Sequence, residues 1–265
     1  MKAILTPQHY YDQVAQGYDA LYTDHISTLE NKIVCDLFLE TITDVPKKYI
    51  LDLGCGTALG LDFLKQSSVE FIYYAGMDIS SQMIYQAKKR FGENQQQEFF
   101  IEDMADLSLF KDNSFSVVTS FFGSFSHVLN YEQGLKEIQR VLKPGGKLFL
   151  MTYSRFSIKS LLKSTFGFNK HYVGFRRPYD IRNNGSGVAC EALFYSPELM
   201  NDILPQFGFG DIRFKGLNYL MELPLIKISV GSNPTRVASW FNMEDRIFRE
   251  HPQYAHSLIT IATKQ

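Results

Sequence analysis

The chain has 265 residues, 45% of them hydrophobic and 21% charged, which suits one large globular domain or one domain with a sizeable insertion. A net charge of −1 argues against wholesale nucleic-acid binding, and no run of about 18 apolar residues is present to span a membrane. Three scattered cysteines, Cys35, Cys55 and Cys190, form neither a disulfide framework nor a CxxC pattern, so a reducing, cytoplasmic setting and no metal are expected.

The opening "MKAILTPQHYYDQ" has too few apolar residues for a signal peptide. Tyr10, Tyr11, Tyr18 and Tyr22 follow at mixed helical spacings, which predicts one or two short helices. "ISTLENKIVCDLFLETI" carries one broad apolar stripe through Leu29, Ile33 and Leu37 and reads as an amphipathic helix. From there strand-like runs alternate with helical patterns. The strands are "YILDLG", "FIYYAGMD", "EFFIED", "SFSVVTSFF", "GKLFLMTY", "FGDIRFKGL" and "HSLITIATK". Between them lie "LGLDFLKQS", "SSQMIYQAKKRFG" with Ser80 or Ser81 as cap and Gly92 as stop, and "YEQGLKEIQRVLKPGG". Such alternation predicts a parallel sheet covered on both faces. Residues 154–195 break it with a short helix, "SIKSLLKST", and a hairpin around "RNNGSG"; residues 218–253 read as irregular, with Pro224, Pro234 and the only tryptophan, Trp240. Loops beyond the carboxyl ends of parallel strands build sites, so both stretches are expected to cap a pocket.

"ILDLGCGTALG" is a strand, a glycine-rich turn and a helix start. Missing side chains at Gly54 and Gly56 let a ligand approach the main chain, and the helix points its N–H groups at it. Dinucleotides and S-adenosylmethionine both use this device. The spacing here is GxGxxxG rather than GxGxxG, and Asp52 would repel a pyrophosphate but suit an ammonium. A structural turn acid is the plainer reading of Asp52. Asp78 ends the second strand, 22 residues after Gly56, where a carboxylate accepts from both hydroxyls of a ribose. Asp103 ends the third, where it can accept from an adenine amino group while Met104 packs on the ring. Three acids ending three successive strands make coincidence a poor account.

Together "ILDLGCGTALG", "GMDIS", "IEDMADL", "FSVVTSFFGSFSHV" and "EIQRVLKPGGKLFL" resemble the class I S-adenosylmethionine-dependent methyltransferases, well over about residues 8–153 and loosely beyond. The resemblance implies a single α/β domain over 1–265, with a Rossmann-like, seven-stranded, mostly parallel sheet, an antiparallel last strand and helices on both faces. It implies an N-terminal helical flap over 8–45 and S-adenosyl-L-methionine as cofactor. Asp52, Gly54 and Gly56 would then hold the methionine end, Asp78 the ribose, and Asp103 with Met104 the adenine; Ile79, Met83 and Ser120 complete the expected cofactor set, with Tyr11 and Tyr18 of the flap over the sulfonium. Tyr10 rivals Tyr11 for that place. Ala58-Leu59 stands where the pattern often has a further glycine, for which Gly60 would compensate.

Methyl transfer is an SN2 attack in which alignment alone can supply roughly 7–11 kcal/mol, so a dedicated base is optional. The segment after the fourth strand has no Asn/Asp-Pro-Pro-Tyr/Phe, which disfavours base and glutamine methylation. "GSFSHV" resembles small-molecule N-methyltransferases of the glycine or amino-sugar type, where a histidine lies near the acceptor. His127 is therefore a candidate base or orienting group, with Tyr11 and Tyr18 beside it, against the plainer reading of a backbone-satisfied loop histidine. Tyr85 and Lys89 make a YxxxK by chance, and Cys55 reads as a small filler.

From Ile138 to Tyr179 no acid occurs, while Arg140, Lys143, Lys147, Arg155, Lys159, Lys163, Lys170, Arg176 and Arg177 interleave with aromatics. A solvated face, a pocket for an anionic or aromatic small acceptor, and an RNA surface are the three readings, in that order. The expected function is methylation of nitrogen or oxygen on a small molecule by a monomer or homodimer that touches no membrane. An RNA- or protein-modifying enzyme and a catalytically silent binding module are the alternatives.

Overall fold

The computed structural model describes residues 3–166, 173–179, 188–221, 223–231 and 233–265. Ten strands run in chain order as β1 (Ala3–Leu5), β2 (Tyr49–Leu53), β3 (Tyr73–Asp78), β4 (Gln97–Ile101), β5 (Phe115–Ser120), β6 (Leu142–Ser154), β7 (Arg176–Tyr179), β8 (Val188–Tyr195), β9 (Phe209–Leu217) and β10 (Ser257–Lys264). Seven of them make the expected sheet in the order β4-β3-β2-β5-β6-β10-β9. The first five are parallel, and β10 lies antiparallel between β6 and β9. β5 is buried at all six positions, as a strand covered on both faces must be.

The helices are α1 (Pro7–Val14), α2 (His25–Ile42), α3 (Leu59–Gln66), α4 (Ser81–Phe91), α5 (Tyr131–Val141), α6 (Ile158–Phe166), α7 (Pro197–Ile203), α8 (Pro224–Val230) and α9 (Pro234–Phe248). One face of the sheet buries Val34, Phe38 and Ile42 of α2 with Leu61 and Leu64 of α3 and Phe241 of α9. The other buries Leu135, Ile138 and Val141 of α5 with Met200 and Ile203 of α7. Ser80 caps α4 by accepting from the Met83 N–H, and Gly92 closes it at φ +67°.

Three strands lie outside the expected seven. β8 joins the far end of β6 in parallel, pairing Tyr153 with Phe194 and Ser154 with Tyr195. β7 pairs antiparallel with β8, and β1 pairs parallel with it, so the N-terminus is tied to the 154–195 stretch. The expected bend at "RNNGSG" lies outside the described residues. The irregular reading of 218–253 is corrected: Pro224 and Pro234 occupy the first turns of α8 and α9, where their missing N–H costs nothing, and Asn233 caps α9.

Candidate functional site

The parallel strands end along one edge, and there β2 passes into α3. Gly54 and Gly56 both have positive φ, +67° and +54°. Their surroundings differ. A Cβ on Gly54 would overlap Ser124, whose hydroxyl donates to the Gly54 carbonyl at 3.0 Å, whereas nothing lies within 4 Å of one on Gly56. Gly56 alone keeps the space for a ligand. Ala58 takes the left-handed conformation at φ 67°, so the position that departs from the glycine pattern is the one that asks for glycine. Gly60 serves otherwise: a Cβ there would run into the carboxylate of Asp52 and the ring of Phe121.

The three strand-end acids differ in environment. Asp52 is fully buried; Tyr74 donates its phenol to Oδ2 at 2.6 Å, while Oδ1 is buried with no hydrogen bond. Burial lifts its pKa to about 7 against the lowering by Tyr74, and the charge of Asp78 adds to the rise. Asp78 accepts from the Ser80 N–H at 2.9 Å and the Gly56 N–H at 3.0 Å, and burial still raises it to about 6. Asp103 turns its chain by accepting from the Ala105 N–H at 2.9 Å.

Two cavities, of about 280 and 230 Å³, share Tyr18, Gly54, Gly56 and Ser124 and form two lobes of one groove across the glycine turn. The first lobe holds Tyr11, Asp78, Ile79, Met83, Asp103, Met104 and His127. The second holds Asp52 beneath the turn, together with Tyr22, Phe121 and Phe122. Phe122 is itself left-handed at φ 47°, which stores strain at the rim. Thus all the expected cofactor and catalytic residues meet at one groove except Ser120, while Tyr10, the rival of Tyr11, is fully buried and lines neither lobe. The Ser120 hydroxyl is buried without a hydrogen bond and lines neither lobe; Ser124, four residues on, stands at the rim instead.

His127 sits behind the first lobe, 7% exposed, on a short 3-10 turn (Ser124–His127). Nδ1 donates to the Glu191 carbonyl at 2.9 Å, and Nε2 faces the phenols of Tyr11 at 3.0 Å and Tyr153 at 3.3 Å. Burial brings its pKa down to about 4, the carbonyl of Glu191 opposing, so the ring is neutral near pH 7. Tyr153 stacks on Tyr179 of β7 with centroids 4.0 Å apart. Burial holds the phenols of Tyr11 and Tyr153 well above their usual range and that of Tyr18 at about 12, so all three stay protonated. Tyr153, Tyr179 and the Glu191 carbonyl carried no sequence signal, because the strands that bring them are far apart in the chain.

The N-terminal segment is fastened over the groove at separate points. Asp12 accepts from the Ser80 hydroxyl at 2.6 Å, and Asp19 from the Thr57 hydroxyl at 2.6 Å. No described residue of 218–253 lines either lobe; α9 packs on α2, and Trp240 donates to the buried Glu244 at 2.8 Å. The basic tract also stays away from the groove. Arg140 bonds Glu137 and Asp112, Arg155 the Val173 carbonyl, Arg176 pairs with Glu191, and Arg177 lies over Phe194. Lys170 lies outside the described residues. No helix among the described residues is long and apolar enough to cross a membrane, and no group among them could hold a metal ion.

A family model described as "Methyltransferase domain" matches residues 51–150. An uncharacterized protein of Methanocaldococcus jannaschii is 29% identical over 240 residues, 88% of this chain and 87% of its own. The demethylmenaquinone methyltransferase of Renibacterium salmoninarum is 30% identical over 219 residues, 78% of this chain and 85% of its own. A solved methyltransferase in complex with the Trm112 methyltransferase activator of Haloferax volcanii superposes with a TM-score of 0.61 at 17% identity, covering 97% of this chain and 96% of that one, a likeness of fold. With the glycine turn, the strand-end acids and the β4-β3-β2-β5-β6-β10-β9 sheet in place, this chain belongs to the class I S-adenosylmethionine-dependent methyltransferases.

Proposed function

We propose that the protein methylates a small, uncharged acceptor, relying on alignment and exclusion of water and not on a general base. When bound, S-adenosylmethionine supplies an electrophilic methyl group on a sulfonium. The groove suits such a cation: the first lobe is lined by Asp78, Glu102 and Asp103 and by no lysine or arginine among the described residues. The orphaned Oδ1 of Asp52 and the open face of Gly56 fit a methionine ammonium lying along the turn. In this reading Asp78 accepts from ribose hydroxyls, Asp103 with Met104 holds the adenine, Ile79 and Met83 pack beside it, and the rings of Tyr11 and Tyr18 cover the sulfonium.

The observation that carries the mechanism is the state of His127. Its Nδ1 proton is committed to Glu191 and its Nε2 already faces two phenols, so it has no lone pair poised for an incoming proton. It orients Tyr11 instead. Nitrogen and oxygen acceptors both fit a site without a base. A ring carbon is the second reading, favoured by the relative named for demethylmenaquinone. The lack of lysine or arginine in the described lining of the first lobe speaks against an anionic acceptor, and the engagement of the arginines with acids, a carbonyl and a ring speaks against RNA.

Calorimetry with S-adenosylhomocysteine tests the reading. Binding is expected, and Asp78→Ala should weaken it about 10- to 100-fold, the worth of one hydrogen bond to a charged group, of order 1.5–3 kcal/mol. Tight binding of NAD(H) with none of the sulfur nucleotide would overturn it. His127→Ala should leave this affinity within a few-fold. In methyl transfer from labelled cofactor its loss should fall mainly on acceptor KM; a drop of about 10²–10⁴ in kcat would restore a base.

A further inference from the structure

A carbonyl oxygen can only accept, so the 2.9 Å contact from His127 Nδ1 to the Glu191 carbonyl fixes the ring proton on Nδ1 and leaves Nε2 bare. A bare imidazole nitrogen has one lone pair, in the ring plane. Two phenols reach for it, Tyr11 at 3.0 Å and Tyr153 at 3.3 Å. Only one can donate to it well, so one of the two phenolic protons is left to go elsewhere. Tyr153 is 4% exposed, stacked on Tyr179 and pressed against Gly123. Tyr11 lines the first lobe beside His127. The proton with an outlet is that of Tyr11.

Resting on the methyltransferase reading above, we infer that Tyr11, His127 and Tyr153 form a switchable donor for an oxygen atom of a flat, uncharged acceptor. When such an oxygen enters the lobe, Tyr153 donates to Nε2 and Tyr11 turns its proton to the ligand. The acceptor class is a ring bearing a phenol, enol or carbonyl oxygen near the methylated atom. An aromatic wall suits a flat ring: Tyr11 and Tyr18 meet edge to face at 6.5 Å, and Tyr18 leans on Tyr22 at 5.2 Å. The absence of lysine and arginine from the described lining of the first lobe leaves a carboxylate or phosphate without a counter-charge there. Tyr11 is the group that touches the ligand; His127 and Tyr153 are positioning residues.

The test uses the full chain saturated with S-adenosylhomocysteine and titrates 2-naphthol, naphthalene and 2-naphthylamine by fluorescence. The protein should bind 2-naphthol about tenfold more tightly than naphthalene, the worth of one net hydrogen bond from a buried donor. Tyr11→Phe should bring the two within about twofold while leaving naphthalene affinity unchanged. Tyr153→Phe, which lets Tyr11 spend its proton on Nε2, should cut 2-naphthol affinity several-fold and spare naphthalene. Equal affinity for 2-naphthol and naphthalene, no binding of either, a preference for 2-naphthylamine, or an oxygen preference that survives Tyr11→Phe would each overturn the inference. Failure of the protein to take up S-adenosylhomocysteine at the outset would sink the methyltransferase site itself; uptake without an oxygen preference would sink the inference alone.

Discussion

Where β5 leaves the sheet, Gly123 adopts φ +84° and the place of its missing side chain is taken by the ring of Tyr153. Where β2 leaves it, Gly56 adopts φ +54° and the place of its missing side chain is empty to 4 Å. The two turns touch, joined by the hydrogen bond from Ser124 to Gly54. Glycine at the first lets the protein pack on itself; glycine at the second keeps room for something else. A sequence shows the same letter at both, and only the surroundings tell a packing glycine from a binding one.

The sharpest way to break the comparison is to add one methyl at each turn. Gly123→Ala combines a left-handed alanine, about 1–2 kcal/mol, with overpacking against Tyr153, about 1–3 kcal/mol, so roughly 3 kcal/mol of stability should be lost in a denaturant melt. Gly56→Ala should cost only the first of these, about 1–2 kcal/mol, yet lower S-adenosylhomocysteine affinity more than tenfold. Equal stability losses with unchanged affinity would erase the distinction.

Asp52 lies beneath the binding turn, and its effect depends on pH. Its pKa is raised by folding, so its contribution to stability is complete below about pH 4, the unfolded value, and is lost as pH rises toward and through about 7. Asp52→Asn mimics the protonated form. Its stability relative to the unchanged protein should therefore be flat below pH 4, grow by about 1.4 kcal/mol per pH unit between about pH 4 and 7, and level off above 7, read from melts between pH 3 and 8.5. A flat difference across the range would mean that Asp52 is not held in a raised state.

The smallest effect belongs to Ala58. Ala58→Gly relieves about 1–2 kcal/mol of left-handed strain and adds about 0.5–1 kcal/mol of unfolded-chain entropy, a net gain of roughly 0.5–1 kcal/mol in the same melts. Destabilisation instead would show that its methyl, fully buried, packs better than the backbone is strained.

These residues also mark what the sequence could disclose. The seven core strands and the strand-end acids were legible because apolar runs and their terminal carboxylates are local patterns. β1 is three residues long and acquires meaning only by pairing with β8, some 185 positions later, so nothing local announces it. Pro224 and Pro234 suggested breaks but occupy the first turns of helices, where the same ring that ends one helix begins another. At the site, Ser120 was legible as a strand end but not as a residue turned inward, since alternation fails in a strand buried on both sides. Tyr11 was expected beside His127, but its other neighbours, Tyr153, Tyr179 and Glu191, come from β6, β7 and β8 and meet it only in the folded chain.

The fastening of the N-terminal segment has a consequence for time. In the function proposed above, Asp12 on Ser80 and Asp19 on Thr57 must both let go before a nucleoside held under Tyr11 and Tyr18 can leave. At about 1 kcal/mol net for each of the two bonds, the open state would hold roughly 3% of the molecules. Each turnover releases a nucleoside as large as the one that entered. In that reading the rate at which this short segment unlatches would set a ceiling on turnover, however fast the methyl group moves beneath it.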